Sequence, residues 1–149
     1  MKVNVITTFK EKHREKQIKY ERTVLKDISI NVLKSRVKDS FGSSRLTSGL
    51  MMNNGIEEAC YDIAIEAFLL GAKFSKFAYY GEGIEDIRQR CYAEEKHLID
   101  TLYNFLLYWG SGDEGILSES LYYMCEQYVR VWWEDGYRNG ERRRKLRLH

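Results

Sequence analysis

At 149 residues the chain has the size of one domain, able to bury a core without disulfides or a structural metal. With 44% hydrophobic and 13% aromatic residues it is too apolar for a disordered chain, which could not offset its ordering entropy. The net charge of +2 conceals an uneven layout: residues 1–40 hold 11 Lys/Arg against 5 Asp/Glu (+6), residues 41–137 hold 7 against 16 (−9), and residues 138–149 hold 6 against 1 (+5).

The chain contains no Pro, where average usage gives about seven. Long helices joined by Gly- and Ser-containing loops suit that absence. The only strand-like piece is Val3–Ile6, too short to build a sheet. Thr8 and Glu11 form a capping box that opens a first helix, and nothing overtly breaks it until about Asp39. At 1.5 Å per residue such a helix is roughly 48 Å long. Ile18, Leu25 and Val32 recur every seven residues along it, and Val24, Ile28 and Val37 widen the stripe. Phe41 to Gly55 reads as a loop, with Gly42-Ser43-Ser44 and Asn53-Asn54-Gly55 as turn chemistry. A second helix starts near Ile56, carries Cys60, Ile63, Ala64, Ala67 and Phe68 inward, and ends at Gly71 or continues to Phe77. Gly81 and Gly83 bracket a turn. A third helix spans Ile84 to Trp109 on Ile87, Cys91, Leu98, Leu102 and Leu106, and Gly110-Ser111-Gly112 stops it. A fourth begins near Asp113 or Ser118, turns Leu121, Met124, Tyr128, Val131 and Trp132 inward, and ends between Gly136 and Gly140. A basic tail, residues 138–149, follows. The expected fold is a single all-α domain over residues 1–149, an antiparallel four-helix bundle with a long N-terminal helix.

Cys60, Cys91 and Cys125 are widely spaced and fall inside helix-period apolar patterns, which predicts buried thiols in a reduced compartment. Met1–Phe9 is too short and polar for a signal peptide, and no apolar run approaches the roughly 18 residues of a membrane span. A cytoplasmic protein is expected.

Glu94 and His97 have the Glu-x-x-His spacing that lets two side chains reach one metal from a helix in a bundle. Glu66 and Glu126 are the carboxylates on neighbouring helices that would join them. A di-metal site needs a second such pair, however, and the other histidines are His13 and His149. A solvated or paired charged patch, in which Glu94 or Glu95 meets Tyr, Lys or Arg, therefore weighs more than a metal site, and no cofactor is expected. No Gly-x-Ser-x-Gly or phosphate-binding glycine loop is present; Gly81-Glu82-Gly83 is a turn. Lys73 to Tyr80 interleaves bases with aromatics, as single-strand-binding surfaces do, although core packing of Phe74 and Phe77 is the commoner use. Arg142, Arg143, Arg144, Lys145 and Arg147 suit phosphate of nucleic acid or anionic lipid, or docking on the acidic middle of the chain.

The stretches Glu57–Gly71 (EEACYDIAIEAFLLG), Tyr79-Tyr80-Gly81-Glu82 and Arg144–His149 (RKLRLH) together resemble a small family of uncharacterised proteins from spore-forming Gram-positive bacteria. The resemblance implies a bacterial cytosolic protein and supplies no activity or catalytic residue. From the residues themselves the leading expectation is a small, non-enzymatic interaction or regulatory protein. It would bind a protein partner, itself included, through Ile18, Leu25, Val32 and the basic tail. The alternatives are a metal-dependent enzyme centred on Glu94 and His97, and a nucleic-acid-binding module using the N-terminal helix and the tail.

Overall fold

A computed structural model describes residues 4–42, 54–109 and 116–146, and every regular element among them is helical. The elements are α1 (Asn4–Leu25), α2 (Ile30–Val37), a π-helical turn (Lys38–Gly42), α3 (Asn54–Phe74), α4 (Lys76–Tyr79), α5 (Ile84–Arg90), α6 (Tyr92–Trp109) and α7 (Ile116–Lys145). The strand-like Val3–Ile6 is helical from Asn4 onward. The loop centre at residues 43–53, including Met51 and Met52, and the Gly110-Ser111-Gly112 stop lie outside the described residues.

The long N-terminal helix expected over residues 8–39 is interrupted. After Leu25 the chain makes a turn in which Asp27 N and Ile28 N donate to Val24 O and Leu25 O at 3.0 and 3.1 Å. Ser29 then takes an extended conformation (φ −88°, ψ 135°), and its hydroxyl accepts from Asn31 N at 3.2 Å. A serine that caps its own following amide competes with helix continuation, so Ser29 starts α2 anew. Ile18, Leu25 and Val32 therefore no longer stand on one helix. Val24, Leu33 and Val37 enter the core, while Val32 is exposed.

The third expected helix is likewise two segments: Cys91 (φ −106°, ψ 20°) separates α5 from α6. The fourth does not end at Gly136–Gly140. Helix α7 runs on through both glycines into the basic segment, for 30 residues. Packing explains the persistence, because the glycines let α3 approach at backbone distance. An added Cβ at Gly71 would meet Trp133 O at 2.0 Å, and one at Gly136 would meet Phe68 O at 1.9 Å. At Gly140 it would meet Ser75 Oγ at 2.3 Å and Ala72 O at 2.8 Å. The low helix propensity of glycine, a loss of about 1 kcal/mol each, is offset by contacts no other residue permits.

The contacts also fix direction. Tyr128 Oη donates to Cys60 O at 2.9 Å, Gly136 faces Phe68, Gly140 faces Ala72, and Arg144 Nε reaches Ser75 Oγ at 3.4 Å. Numbers rise together, so α3 and α7, the second and fourth of the expected helices, run parallel. Helix α6 opposes α7, since Asp100 meets Tyr122 while Glu95 lies near Arg130.

The main core is built from Val24, Leu33, Val37, Phe41 and the inner faces of α3, α6 and α7. A second cluster, Ile87, Cys91, Trp133 and Tyr137, packs with Phe74 and Phe77. Both tryptophans of the pair are buried, Trp132 in the first cluster and Trp133 in the second, while Val131, expected inside, is exposed.

Candidate functional site

A hollow of about 540 Å³ lies between α1 and the C-terminal ends of α3 and α7. His13, Arg14, Lys73, Lys76, Arg143 and Arg144 line it, together with Gln17, Ile18 and Tyr20, and among the described residues no carboxylate is in its lining. Three regions of the chain converge here, and local folding explains each contribution. On α1, His13, Arg14, Gln17 and Ile18 share a face through their three- and four-residue spacings. Tyr20 anchors that helix: it is partly buried, and its hydroxyl donates to Ala72 O at 3.4 Å. Lys73 and Lys76 lie either side of Ser75, whose buried hydroxyl donates to Ala72 O at 2.6 Å and ends α3. Continuation of α7 past Gly140 carries Arg143 and Arg144 to the same place.

Among the described residues of the basic segment, Arg143 takes its carboxylate from the N-terminal part of the chain. Arg143 Nη2 pairs with Asp27 at 2.6 Å, its Nε donates to the same carboxylate at 2.7 Å, and Asn139 Nδ2 donates there too at 3.0 Å. Arg143 also reaches Thr23 O. One carboxylate thus clips the end of α7 to the end of α1, and brings two positively charged parts of the chain together. Arg142 and Lys145 are exposed beside this clip, and Arg147 lies outside the described residues.

Of the metal-site candidates, Glu66, Glu94 and His97 line a second hollow of about 480 Å³, with Glu21 and Lys73. All three are exposed, and Glu126 lines a different hollow on the other side of α6. Among the described residues no group of three or more His, Cys, Asp or Glu side chains is arranged to hold a metal.

The charged residue that interrupts the apolar stripe is Glu95, which is buried, while Glu94 is exposed. Its partner is Arg88, whose Nε stands 4.0 Å from Glu95 and whose Nη2 pairs with Glu134 at 2.9 Å. The Arg88 guanidinium also lies 5.0 Å from the centre of the Trp133 ring. Burial holds the Glu95 carboxyl above its ordinary range; Arg88 and Arg130 pull it down, and Glu126 and Glu134 push it up. The sequence signal for this burial is the run Ile87, Cys91, Glu95, Ile99, Leu102 and Leu106. It places Glu95, not Glu94, at a core position of the helix.

The family described as "Protein of unknown function (DUF2521)" matches residues 3–149. The chain belongs to that family. It is also 30% identical over 145 residues to "Uncharacterized protein YbaK" of Bacillus subtilis (strain 168), covering 96% of this chain and 97% of that protein. No solved structure matches. Among the described residues no helix is long and apolar enough to cross a membrane.

Proposed function

We propose that this protein is a small, non-enzymatic interaction protein that holds a polyanionic partner in the groove between α1 and the ends of α3 and α7. The observation that carries the reading is the convergence of His13, Arg14, Lys73, Lys76, Arg143 and Arg144 on one hollow with no carboxylate among its described lining residues. Like charges assembled from three regions raise the energy of the unbound molecule, and clefts lined by one sign of charge concentrate counter-ions. The wider arrangement is read as four helical arms: α1 with α2, then α3, α5 with α6, and α7. The Arg143–Asp27 clip gives the groove a rigid floor instead of a loose tail.

Retention on immobilised heparin tests this reading. Arg14→Glu/Lys73→Glu/Arg144→Glu should elute at clearly lower salt than the wild type. Lys34→Glu/Lys38→Glu/Arg138→Glu alters net charge equally at exposed positions outside the groove lining, and should elute later than the groove variant. Equal elution of the two triples would mean that total charge, and not the groove, governs retention.

A further inference from the structure

We infer that the partner is a single-stranded nucleic acid, whose phosphates lie along the cationic groove and whose bases stack on Tyr79 and Tyr80. The inference rests on the polyanion reading above and adds a second observation. Tyr79 and Tyr80 are 79% and 75% exposed, in a chain that fully buries Trp133 and nearly all of Trp132. Their rings stand edge to face, with centroids 5.5 Å apart, so they offer π-faces in two orientations.

Tyr79 is continuous with the groove, and Tyr80 stands against Tyr79. Tyr79 is three residues from Lys76 on α4, one turn along, and Lys76 lines the groove. Tyr79 also lines an adjoining hollow of about 280 Å³ with Ser75, Lys145, Glu141 and Arg144, and Arg144 is common to both hollows. A strand following Arg14, Lys73, Lys76 and Arg144 therefore reaches Tyr79 along a path lined by cations, with Glu141 beside its far end and Glu21, which accepts from Gln17, beside Lys73.

The platform is also braced. Gly81, at φ +91°, turns the chain after Tyr80, and its N–H donates to Ala78 O at 3.0 Å while Glu82 N donates to Phe77 O at 3.2 Å. Glu82 accepts from Arg90 Nε at 2.7 Å, and the Arg90 guanidinium covers the Phe77 ring at 4.4 Å. The rings are thus held out from a turn fixed on both sides, which lowers the ordering cost of stacking.

Base–aromatic stacking tolerates any sequence, and a cationic groove that tracks the backbone is its usual companion. A duplex keeps its bases stacked on each other and has no use for the tyrosines. An acidic peptide would occupy the cations and leave the rings idle.

The test is fluorescence anisotropy of a labelled oligothymidylate of about 15 nucleotides, within the range of known single-strand sites. Binding at low salt should weaken as salt rises, with a log–log slope of about −3.5 if Arg14, Lys73, Lys76, Arg144 and Lys145 each displace one counter-ion. Tyr79→Ala/Tyr80→Ala should lower affinity at least about tenfold while leaving heparin elution unchanged. Tyr79→Phe/Tyr80→Phe should keep wild-type affinity, since only the ring is needed. Heparin retention without oligonucleotide binding would overturn the inference and leave the polyanion reading standing. So would equal affinity for a duplex, an inert double-alanine variant, or binding only to vesicles rich in phosphatidylserine. Loss of heparin retention as well would remove both.

Discussion

Replacing Gly136 with alanine adds one methyl group at the closest point between α3 and α7. That Cβ would stand 1.9 Å from Phe68 O and 2.6 Å from Phe68 C, where ordinary contact begins near 3.4 Å. The helices must then part locally by about 1.5 Å, the difference between 3.4 and 1.9 Å. Both facing atoms belong to backbone, so no rotamer change relieves the clash. Separation loosens Ala67, Phe68, Ala72, Trp132 and Trp133, all buried around the crossing. Overpacking of this kind costs about 1–3 kcal/mol, and more where backbone must move; alanine's better helix propensity returns about 1 kcal/mol. Taking the upper end of that cost, because backbone must move, we expect a net loss of about 2 kcal/mol, or a fall in Tm of about 4–8 °C, read by urea and thermal unfolding with tryptophan fluorescence. Gly83→Ala, where nothing lies within 4 Å and the backbone is extended, should stay within about 0.5 kcal/mol of wild type. Gly81→Ala meets open space but at φ +91°, and should lose about 1–2 kcal/mol through backbone strain alone. A Gly136→Ala protein as stable as wild type, or more so, would show that propensity acts unopposed. The close crossing would then be refuted.

Two further outcomes follow from buried ionisable groups. Because the Glu95 carboxyl is held above its ordinary value chiefly by burial, its ionised form is less favourable in the fold than in the unfolded chain. Stability therefore falls as pH rises from the ordinary glutamate value, about 4.3, through the raised one. Glu95→Gln should be no less stable than wild type at pH 7, with the two converging below about pH 4; a loss exceeding about 1 kcal/mol at pH 7 would mean that pairing with Arg88 outweighs desolvation. The thiols should be inert. Burial pushes Cys60 up to about 12, helped by Glu57, and Cys91 up to about 11, and raises Cys125 as well. Under native conditions at pH 8 a thiol reagent should react slowly at all three positions, then fully after denaturation; rapid reaction of even one thiol would place it outside the core.

Helical class was legible because it rests on local periodicity. Cys60, Ile63, Ala64, Ala67 and Phe68 are buried as their spacing indicates, and that spacing is independent of what packs opposite. Boundaries were less legible, for two different reasons. Ser29 is a cap residue inside an apolar repeat, and choosing cap over continuation depends on the Val24, Leu33 and Val37 burial that the break permits. Gly136 and Gly140 read as a helix end because glycine lowers propensity. Only the presence of Gly71, Ala72 and Ser75 opposite turns the same residues into a reason for the helix to persist.

The groove was less legible still, for a reason rooted in chain topology. Arg14 and Arg144 are far apart in sequence, and their charges appeared as two separate basic ends flanking an acidic middle. Opposite net charges suggested that an end would seek the middle. Inside the fold, individual geometry outweighs regional totals: Arg143 takes its carboxylate from Asp27, within the basic N-terminal part, because α7 runs parallel to α3 and its end arrives beside the end of α1. The acidic middle is partly consumed in its own pairs, Glu134 with Arg88 and Glu82 with Arg90, and its Asp135 binds Arg36 of α2. What stays without a carboxylate among its described lining residues is the surface where Arg14, Lys73, Lys76 and Arg144 meet. Their mutual repulsion would spread those four side chains apart; the fold holds them together, and in the reading proposed above an anion bound between them recovers that cost.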